Sequence, residues 1–329
     1  MIEEILTNLY KIEIPLPGSP LKALNSYVIK GPERSLIIDT GWDRKECMNA
    51  MQTGLREVKV DLGKSDFFIT HFHPDHLSLV FNLAAETSKI YFNQPEANFV
   101  GDRNRWDRLF SYARKSGLPE SDIQAVIHSH PGYKYRPKTQ LTFTILKEND
   151  DIAIGGYLFR CVETPGHTWG HLCLYEPNKK VLVSGDHILN DITPNIQLWS
   201  DEWDPLAAYF RSLDRVYGLD IGLVLPGHRN IFTSCKERIE ELRKHHQRRL
   251  DEVSLILEEG AKDAHQVASQ MKWDISYDYD SFELFPVLQK WFATGEAIAH
   301  LKYLEESGMI RRQMQENKIL YSLSLESQT

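Results

Sequence analysis

Residues 70–76 read Thr70-His71-Phe72-His73-Pro74-Asp75-His76 and place four metal-binding side chains within six residues. Imidazole nitrogens and carboxylate oxygens suit a borderline divalent ion such as zinc. Because residues two apart point the same way in an extended segment, His71 and His73 can bind one ion. Asp75 and His76 lie just beyond them and are available to a second ion. The run therefore predicts a metal site rather than a merely polar loop.

Three later segments share one pattern, in which an apolar strand and a turn with glycine precede a ligand-type residue. They are residues 164–171 after a strand at 157–162, residues 184–187 after a strand at 180–183, and residues 225–228 after a strand at 221–224. An earlier instance is the strand 35–38, which leads into Asp39-Thr40-Gly41. Loops held at strand ends by a rigid sheet are the usual location of a site. These segments therefore predict the remainder of the metal site.

This ordered set resembles the metallo-β-lactamase superfamily. The His-x-His-x-Asp-His run stands at residues 71–76, the later single positions match at His167, Asp186 and His228, and the upstream Asp-Thr-Gly matches at Asp39. The resemblance covers about the first 235 to 245 residues. It implies an α/β (α+β) fold, a four-layer αβ/βα sandwich with two packed sheets and the metals at one edge.

The resemblance also implies how the ligands divide between two ions. One ion would be held by His71, His73 and His167, a second by Asp75, His76 and His228, and Asp186 would bridge the two. Two ions about 3.5–4 Å apart can share a water and lower its pKa toward about 7. Zinc is the expected ion, although five histidines and two aspartates also suit iron or manganese.

Asp39 resembles a residue that orients a metal-bound imidazole, as carboxylates behind metal ligands do. The alternative is that it caps the turn before Gly41. His187 follows Asp186 and either lines the pocket or is a hydrogen-bonded core histidine. His171 is expected to pack or to form hydrogen bonds rather than to bind metal.

Four other histidines lack the spacing of ligands. His128 and His130 have no carboxylate or further histidine at useful spacing, which indicates loop residues. His245 and His246 sit in the charged run 243–249, which indicates a solvated helix face.

The predicted organisation is a catalytic domain over residues 1–245 and a smaller domain over 250–329. An insertion at about 94–137 is rich in aromatic and basic residues, with apolar residues at helical spacing from Trp106 to Ala113. We expect a helical cap near the metals, or alternatively a peripheral helix packed on the sandwich. Two helices after residue 250, the second predicted at 296–304, and a hairpin resemble the winged-helix domain of one branch of metallo-β-lactamase-fold hydrolases. The same resemblance implies that Asn195 reaches the pocket.

The charge balance opposes nucleic-acid binding by the winged-helix-like segment. The chain has a net charge of −8, and residues 250–329 carry 7 Lys and Arg against 14 Asp and Glu, with Asp274, Asp278 and Asp280 close together. Binding to a phosphate backbone requires a cationic face that displaces counterions. We therefore expect a packing or dimerisation role, the latter as a homodimer, and we do not expect nucleic acid as a partner.

The remaining composition predicts a cytoplasmic protein. The amino terminus carries Glu3 and Glu4 where a signal peptide would be basic. No apolar run approaches the roughly 18 residues of a membrane span. Four widely separated cysteines fit reduced and mostly buried thiols.

These observations predict a dinuclear metal-dependent hydrolase of a small-molecule carboxylic ester, thioester or lactone. A metal-bridging hydroxide would attack the carbonyl, and Asp186 or Asp75 would accept the proton of the nucleophile. The alternative is a metal-dependent endoribonuclease, which the acidic balance opposes and the aromatic and basic insertion favours. A non-catalytic protein that keeps a metal for stability is a third hypothesis, and the intact ligand set argues against it.

Overall fold

A computed structural model describes residues 1–135, 142–273, 279 and 281–324. The chain divides into two compact units. Unit 1 comprises Met1–Asp102, Tyr135–Pro194 and Ser212–Ile239, and unit 2 comprises Arg103–Lys134, Asn195–Arg211 and Glu240–Thr329. Parts of two predictions lie outside the described residues, namely the end of the insertion at 136–137 and the acidic residues Asp274, Asp278 and Asp280.

Unit 1 contains two sheets. The seven-stranded sheet has the order β1-β2-β3-β4-β5-β6-β7, and the five-stranded sheet has the order β12-β11-β10-β9-β8. The strands are β1 (Ile2–Leu6), β2 (Leu9–Pro15), β3 (Ala23–Lys30), β4 (Ser35–Ile38), β5 (Ser65–Phe68), β6 (Ile90–Asn93), β7 (Thr144–Leu146), β8 (Asp151–Ile154), β9 (Tyr157–Glu163), β10 (Leu172–Glu176), β11 (Val181–Gly185) and β12 (Leu223–Pro226).

Alternation along the strands builds two cores, one on each face of the seven-stranded sheet. Val28, Ile37 and Phe67 belong to one buried cluster. Their neighbours Ile29 and Phe68 belong to a second cluster. Successive side chains of a strand point to opposite faces, so a strand buried on both faces is expected to be mostly apolar. This explains the apolar run Leu36-Ile37-Ile38 of β4.

The two clusters define the layers of unit 1. The second cluster joins strand residues of both sheets, such as Ile38 of β4 and Phe159 of β9, so it is the core between the sheets. The first cluster includes Cys47, Met51 and Leu55 of helix α1 (Lys45–Glu57), which covers the outer face of the seven-stranded sheet. The short helices α2 (Pro74–Leu77), α3 (Val80–Leu83) and α4 (Gln94–Gly101) also lie in unit 1.

Backbone hydrogen bonds hold the ends of strands from both sheets together. The backbone N–H of Leu172 donates to the carbonyl of Thr70 at 2.9 Å, and that of Asn25 donates to the carbonyl of Gly227 at 2.7 Å. Strands β4 and β5 are parallel, as are β11 and β12, so the loops that follow each pair leave from the same sheet edge. The loops that carry the predicted ligands therefore start close to one another.

Unit 2 is mostly helical and ends in a hairpin. Helices α5 (Arg105–Lys115), α6 (Glu120–Ser129) and α7 (Pro131–Lys134) come from the predicted insertion, whose helical spacing is thereby confirmed. Helices α8 (Pro205–Tyr217) and α9 (Cys235–Glu258) have residues in both units. The chain then forms α10 (Ala264–Gln270), α11 (Val287–Glu306) and the antiparallel strands β13 (Ile310–Gln315) and β14 (Lys318–Leu323). None of the described helices is long and apolar enough to cross a membrane.

Two sequence-based predictions about histidines are wrong. His128 lies in α6 rather than in a loop. His246 is fully buried rather than on a solvated helix face, and its Nδ1 lies 3.1 Å from Nε2 of His300 on α11. The charged residues around His246 suggested exposure, but the helix turns this position and that of Arg249 inward.

Candidate metal centre

The structure brings the seven predicted ligands together in unit 1. Their donor atoms form three overlapping groups, within each of which the atoms lie no more than 4.8 Å apart. The groups are His71 with His73 and His167, His71 with His76 and Asp186, and Asp75 with His76 and His228. The first group is called the three-histidine group below, and the third the aspartate group.

The three-histidine group joins the loop after β5 to the loop after β9. Nδ1 of His73 lies 3.0 Å from Nε2 of His71 and 3.0 Å from Nε2 of His167. A tetrahedral zinc ion with Zn–N bonds of about 2.0–2.1 Å places its ligand nitrogens roughly 3.3 Å apart. Three imidazoles whose nitrogens converge at this spacing have the geometry of a metal site.

The aspartate group joins helix α2 to the loop after β12. Oδ2 of Asp75 lies 3.4 Å from Nε2 of His228 and 4.0 Å from Nε2 of His76. Helix α2 begins at Pro74, where a proline costs no hydrogen bond, and its single turn carries Asp75 and His76 away from His73. This turn separates the second pair of the 70–76 run from the first.

Asp186 lies between the two groups. Its Oδ2 is 3.7 Å from Nε2 of His167 and 3.5 Å from Nε2 of His228, and its Oδ1 is 3.5 Å from Nε2 of His76. It follows Gly185, whose φ of +48° is in the left-handed region that favours glycine. A Cβ on Gly185 would lie 2.7 Å from Nε2 of His171, so this turn requires glycine for space as well.

Asp39 holds ligands of both groups from behind. Its Oδ2 accepts hydrogen bonds from Nδ1 of His76 at 2.7 Å and from the hydroxyl of Thr70 at 2.8 Å. The Thr70 oxygen lies 2.9 Å from Nδ1 of His71, so it accepts there while its own proton goes to Asp39. These contacts at Nδ1 leave Nε2 of both imidazoles as the nitrogen that faces the centre and is available to a metal.

The backbone holds His228 in the same way. Nδ1 of His228 donates to the carbonyl of Ala23 at 2.7 Å. The loop itself is fastened by Asn25 and Tyr27 of β3, which donate to the carbonyl of Pro226 at 3.0 Å and 2.8 Å. Nε2 of His228 consequently faces Asp75 and Asp186.

The charges of the site follow from burial and from close ion pairs. Burial lowers the pKa of His71 well below 6.5, and the neighbouring imidazoles lower it further, which keeps it neutral. Burial acts to raise the pKa of Asp75, but the nearby imidazoles of His228 and His76 outweigh it and lower the pKa to about 2. Burial likewise acts to raise the pKa of Asp186, and His228 and His76 lower it well below 3.8. Two ionised carboxylates therefore sit among buried imidazoles.

The residues present fit divalent metal ions. Nε2 of His76, Nε2 of His228 and Oδ1 of Asp186 are buried and have no hydrogen-bond partner among the described residues. Buried polar atoms are ordinarily paired, so three unpaired donor atoms that face one another need an explanation. A cation bound between them would provide it, because neutral imidazole and ionised carboxylate are the ligand forms that metals require.

The other predicted residues are found in different places. His171 is buried, and its Nε2 accepts from the backbone N–H of Asp186 at 3.2 Å. His187 is buried in unit 1, with its ring centroid 6.2 Å from that of His171. Asn195 belongs to unit 2, and its role at the pocket stays a prediction.

Two contributors escaped the sequence analysis. The carbonyl of Ala23 carries no side-chain signal, so no sequence pattern points to it. Glu96 of α4 is fully buried and accepts backbone N–H groups from two ligand loops. A glutamate in the first turn of a helix is common, and nothing in its neighbours Gln94 and Pro95 distinguishes it.

The chain matches two family models and resembles several known proteins. A family model described as metallo-beta-lactamase superfamily matches residues 21–228, and one described as metallo-beta-lactamase-like, C-terminal domain matches residues 283–321. A probable metallo-hydrolase of Bacillus subtilis is 27% identical over 90% of this chain and 92% of its own length. A human acyl-coenzyme A thioesterase is 26% identical over 63% of this chain and 74% of its own length.

Solved structures give the same result for the fold. A beta-lactamase domain protein from Burkholderia ambifaria superimposes with a TM-score of 0.85, at 25% identity, over 98% of this chain and 94% of that chain. A metallo-beta-lactamase family protein from Thermus thermophilus gives a TM-score of 0.81 at 25% identity, over 98% and 100%. The predicted metal-dependent hydrolase agrees with the names of these relatives, and the predicted sandwich is confirmed. The family match spans well over half of the chain, which therefore belongs to the metallo-β-lactamase superfamily.

Proposed function

We propose that this chain is a dinuclear metal-dependent hydrolase of small-molecule acyl substrates, with thioesters favoured over carboxylic esters and lactones. The observation that carries the proposal is Asp186, whose two oxygens lie between the three-histidine group and the aspartate group. Thioesters are favoured because one relative is named a human acyl-coenzyme A thioesterase. Another is named an atrochrysone carboxyl ACP thioesterase of Aspergillus fumigatus, at 23% identity over 74% of this chain and 64% of its own length.

Each group would hold one ion, with Asp186 between the two groups, and the donor set suits zinc. When bound, such a pair of ions supplies an activated water and a Lewis acid that polarises the carbonyl under attack. The chain contributes the positions of the ligands, since Asp39, Thr70 and the Ala23 carbonyl fix the imidazoles from behind. Asp75 and Asp186 are the carboxylates at this centre, and we assign to them the proton released by the attacking water.

The C-terminal segment is part of the proposal. We assign residues 1–245 to a catalytic domain and 250–329 to a winged-helix domain, on the order α10, α11 and hairpin. A packing or dimerisation role is supported by the net acidic charge of that segment. A cytoplasmic location is supported by four free, buried cysteines.

The experiment is turnover of the zinc-loaded protein on matched panels of thioesters, carboxylic esters, lactones and single-stranded RNA. The variant Asp186→Ala removes the shared carboxylate and serves as the blank. We expect acyl turnover in the wild type, and in the variant a loss greater than the roughly 10–100-fold that follows loss of a residue behind a metal ligand. Metal content should fall below two ions per chain.

Asp191→Ala is the matched control, since Asp191 is an exposed carboxylate five residues further along. It should keep both activity and metal content. Full activity in Asp186→Ala would refute the dinuclear mechanism. RNA cleavage that disappears in Asp186→Ala, without acyl turnover, would replace the hydrolase proposal by the endoribonuclease.

A further inference from the structure

A single carboxylate outside the ligand set contacts both loops of the three-histidine group. Glu96 is fully buried near the start of α4. Its Oε2 accepts the backbone N–H of Phe72 at 2.6 Å, and its Oε1 accepts the backbone N–H of Gly170 at 2.6 Å. Phe72 stands between the ligands His71 and His73, and Gly170 is three residues after the ligand His167.

The packing around Gly170 shows that this contact is built closely. A Cβ on Gly170 would lie 3.0 Å from Cγ of Glu96, 3.0 Å from Cβ of Pro95 and 3.1 Å from Oδ1 of Asn93. Few real Cβ atoms approach their neighbours so closely. The absence of a side chain at Gly170 therefore allows its N–H to reach the carboxylate.

A buried carboxylate is costly unless hydrogen bonds compensate for the lost water. Burial raises the pKa of Glu96 to about 7, against the effect of the backbone N–H groups of Gly170 and Phe72. A neutral glutamine of the same shape would avoid the free-energy cost of burying a charge, but its amide group has only one acceptor oxygen. The position therefore needs two acceptor atoms rather than mere volume.

We propose that Glu96 is a positioning residue that joins the 71–73 and 167–170 loops and thereby assembles the three-histidine group. This inference rests on the proposed metal centre. Glu96 acts through the backbone, because its hydrogen bonds run to the N–H groups of Phe72 and Gly170 and not to a ligand side chain. The aspartate group has other supports, namely Asp39 behind His76 and the Ala23 carbonyl behind His228. Loss of Glu96 should consequently affect one metal position and spare the other.

Glu96→Gln is the test, with zinc alone as the probe. One of the two N–H groups would face an amide N–H instead of an oxygen, which drives the loops apart. We expect zinc content after desalting to fall from about two ions per chain to about one. Titration with zinc should show affinity at the weaker position reduced about 10–100-fold, as for other residues behind metal ligands.

Glu176→Gln is the matched control. Glu176 is 2% exposed, also lies in unit 1, and accepts the backbone N–H of Lys179 without contacting a ligand loop. Both variants should lower the melting temperature, whereas only Glu96→Gln should lose zinc. This separates positioning from the general effect of changing a buried glutamate.

Gly170→Ala provides a second variant that keeps Glu96. Its new Cβ should displace the loop and lower the zinc content in the same direction. Two zinc ions per chain with unchanged affinity in Glu96→Gln and in Gly170→Ala would overturn the inference and leave the metal centre intact. If these two variants lose zinc but the wild type hydrolyses no acyl substrate, the inference is upheld while the proposed function fails. A wild type that binds no zinc would overturn both.

Discussion

Unit 1 and unit 2 both contain buried histidines, but different atoms face their ring nitrogens. In unit 1, Nε2 of His76 and of His228 lies within 3.5 Å of an Asp186 oxygen. In unit 2, Nδ1 of His246 contacts His300, whose own Nδ1 donates to the backbone carbonyl of Glu296 at 2.8 Å. The rings of Tyr209 and Phe210 approach His246 edge-on, at centroid distances of 5.4 Å and 6.0 Å.

The difference teaches that burial of a histidine does not by itself indicate a metal ligand. Burial lowers the pKa of His246 and of His71 alike, so both imidazoles are neutral. Among the residues that the structure describes, only the imidazoles of unit 1 converge on carboxylates that supply the negative charge a cation requires. The carboxylates distinguish a metal centre from a neutral core.

The largest expected effect concerns the carboxylate behind the ligands. Asp39→Asn should lower zinc affinity about 10–100-fold, because its amide NH2 group must face either the backbone N–H of Thr70 or the two groups that donate to Oδ2, namely Nδ1 of His76 and the Thr70 hydroxyl. Competition with a zinc chelator measures this. Asp43→Asn, an exposed change four residues away, should have no effect. Unchanged zinc affinity in Asp39→Asn would show that His76 and His71 bind zinc without the hydrogen bonds that Asp39 accepts behind them.

The next test is whether a methyl group added beside Asp186 weakens zinc binding. A Cβ on Gly227 would lie 2.5 Å from Oδ1 of Asp186 and 2.8 Å from Cε1 of His76. Gly227→Ala should therefore weaken zinc binding by about 10-fold, since the new methyl group must displace these two ligand side chains. Gly222→Ala is the control, because its Cβ would meet only ordinary contacts at 3.5 Å. Equal zinc affinity in the two variants would contradict the described geometry.

A change in unit 2 should separate stability from metal binding. His300→Leu leaves Nδ1 of His246 without its acceptor, which should cost about 1–3 kcal/mol of unfolding free energy. Zinc content should stay unchanged. His128→Leu, at an exposed position of α6, should alter neither quantity. Loss of zinc in His300→Leu would show that the pair in unit 2 contributes to the metal centre after all.

The smallest expected effect is a pH dependence of the stability of unit 2. Burial lowers the pKa of His300 to about 3, with His245 and Arg249 lowering it further, although its bond to the Glu296 carbonyl opposes this. Enclosure by Trp106, Trp291 and Phe292 lowers the pKa of His130 to about 4. Both pKa values in the folded protein lie below the unfolded value of 6.5. The contribution of these neutral histidines to the free energy of unfolding is therefore fully present above pH 6.5 and is lost as the pH falls toward 4.

Each such histidine should contribute a slope of about 1.4 kcal/mol per pH unit within that window. Denaturation by urea at pH 7, 6 and 5 measures it, followed by tryptophan fluorescence. Five of the seven tryptophans lie in unit 2, so the signal reports mainly on that unit. The slope should be smaller in His300→Leu than in the wild type. An equal slope in the two proteins would contradict the assignment of part of this pH dependence to His300.

Local patterns predicted the elements that carry ligands. The expected strands 35–38, 157–162, 180–183 and 221–224 correspond to β4, β9, β11 and β12 within one or two residues at nearly every end. Each is a short apolar run that ends at a turn residue, a signal contained within the segment itself. By contrast, α11 is more than twice as long as predicted, since it begins at Val287 rather than at residue 296. Its buried residues do not follow one stripe, so no amphipathic period marked its first half.

The sequence by itself determined which residues can bind metal and in what order they occur, because ligand chemistry and strand-end turns are encoded within a few neighbouring residues. Only the tertiary structure decided what stands behind those ligands. Asp39 lies 37 positions from His76, Glu96 lies 74 positions from Gly170, and Ala23 lies 205 positions from His228. Such contacts depend on how the strand ends of two sheets meet, and no local pattern records that geometry. The same reason turned His246 inward and made it part of a core.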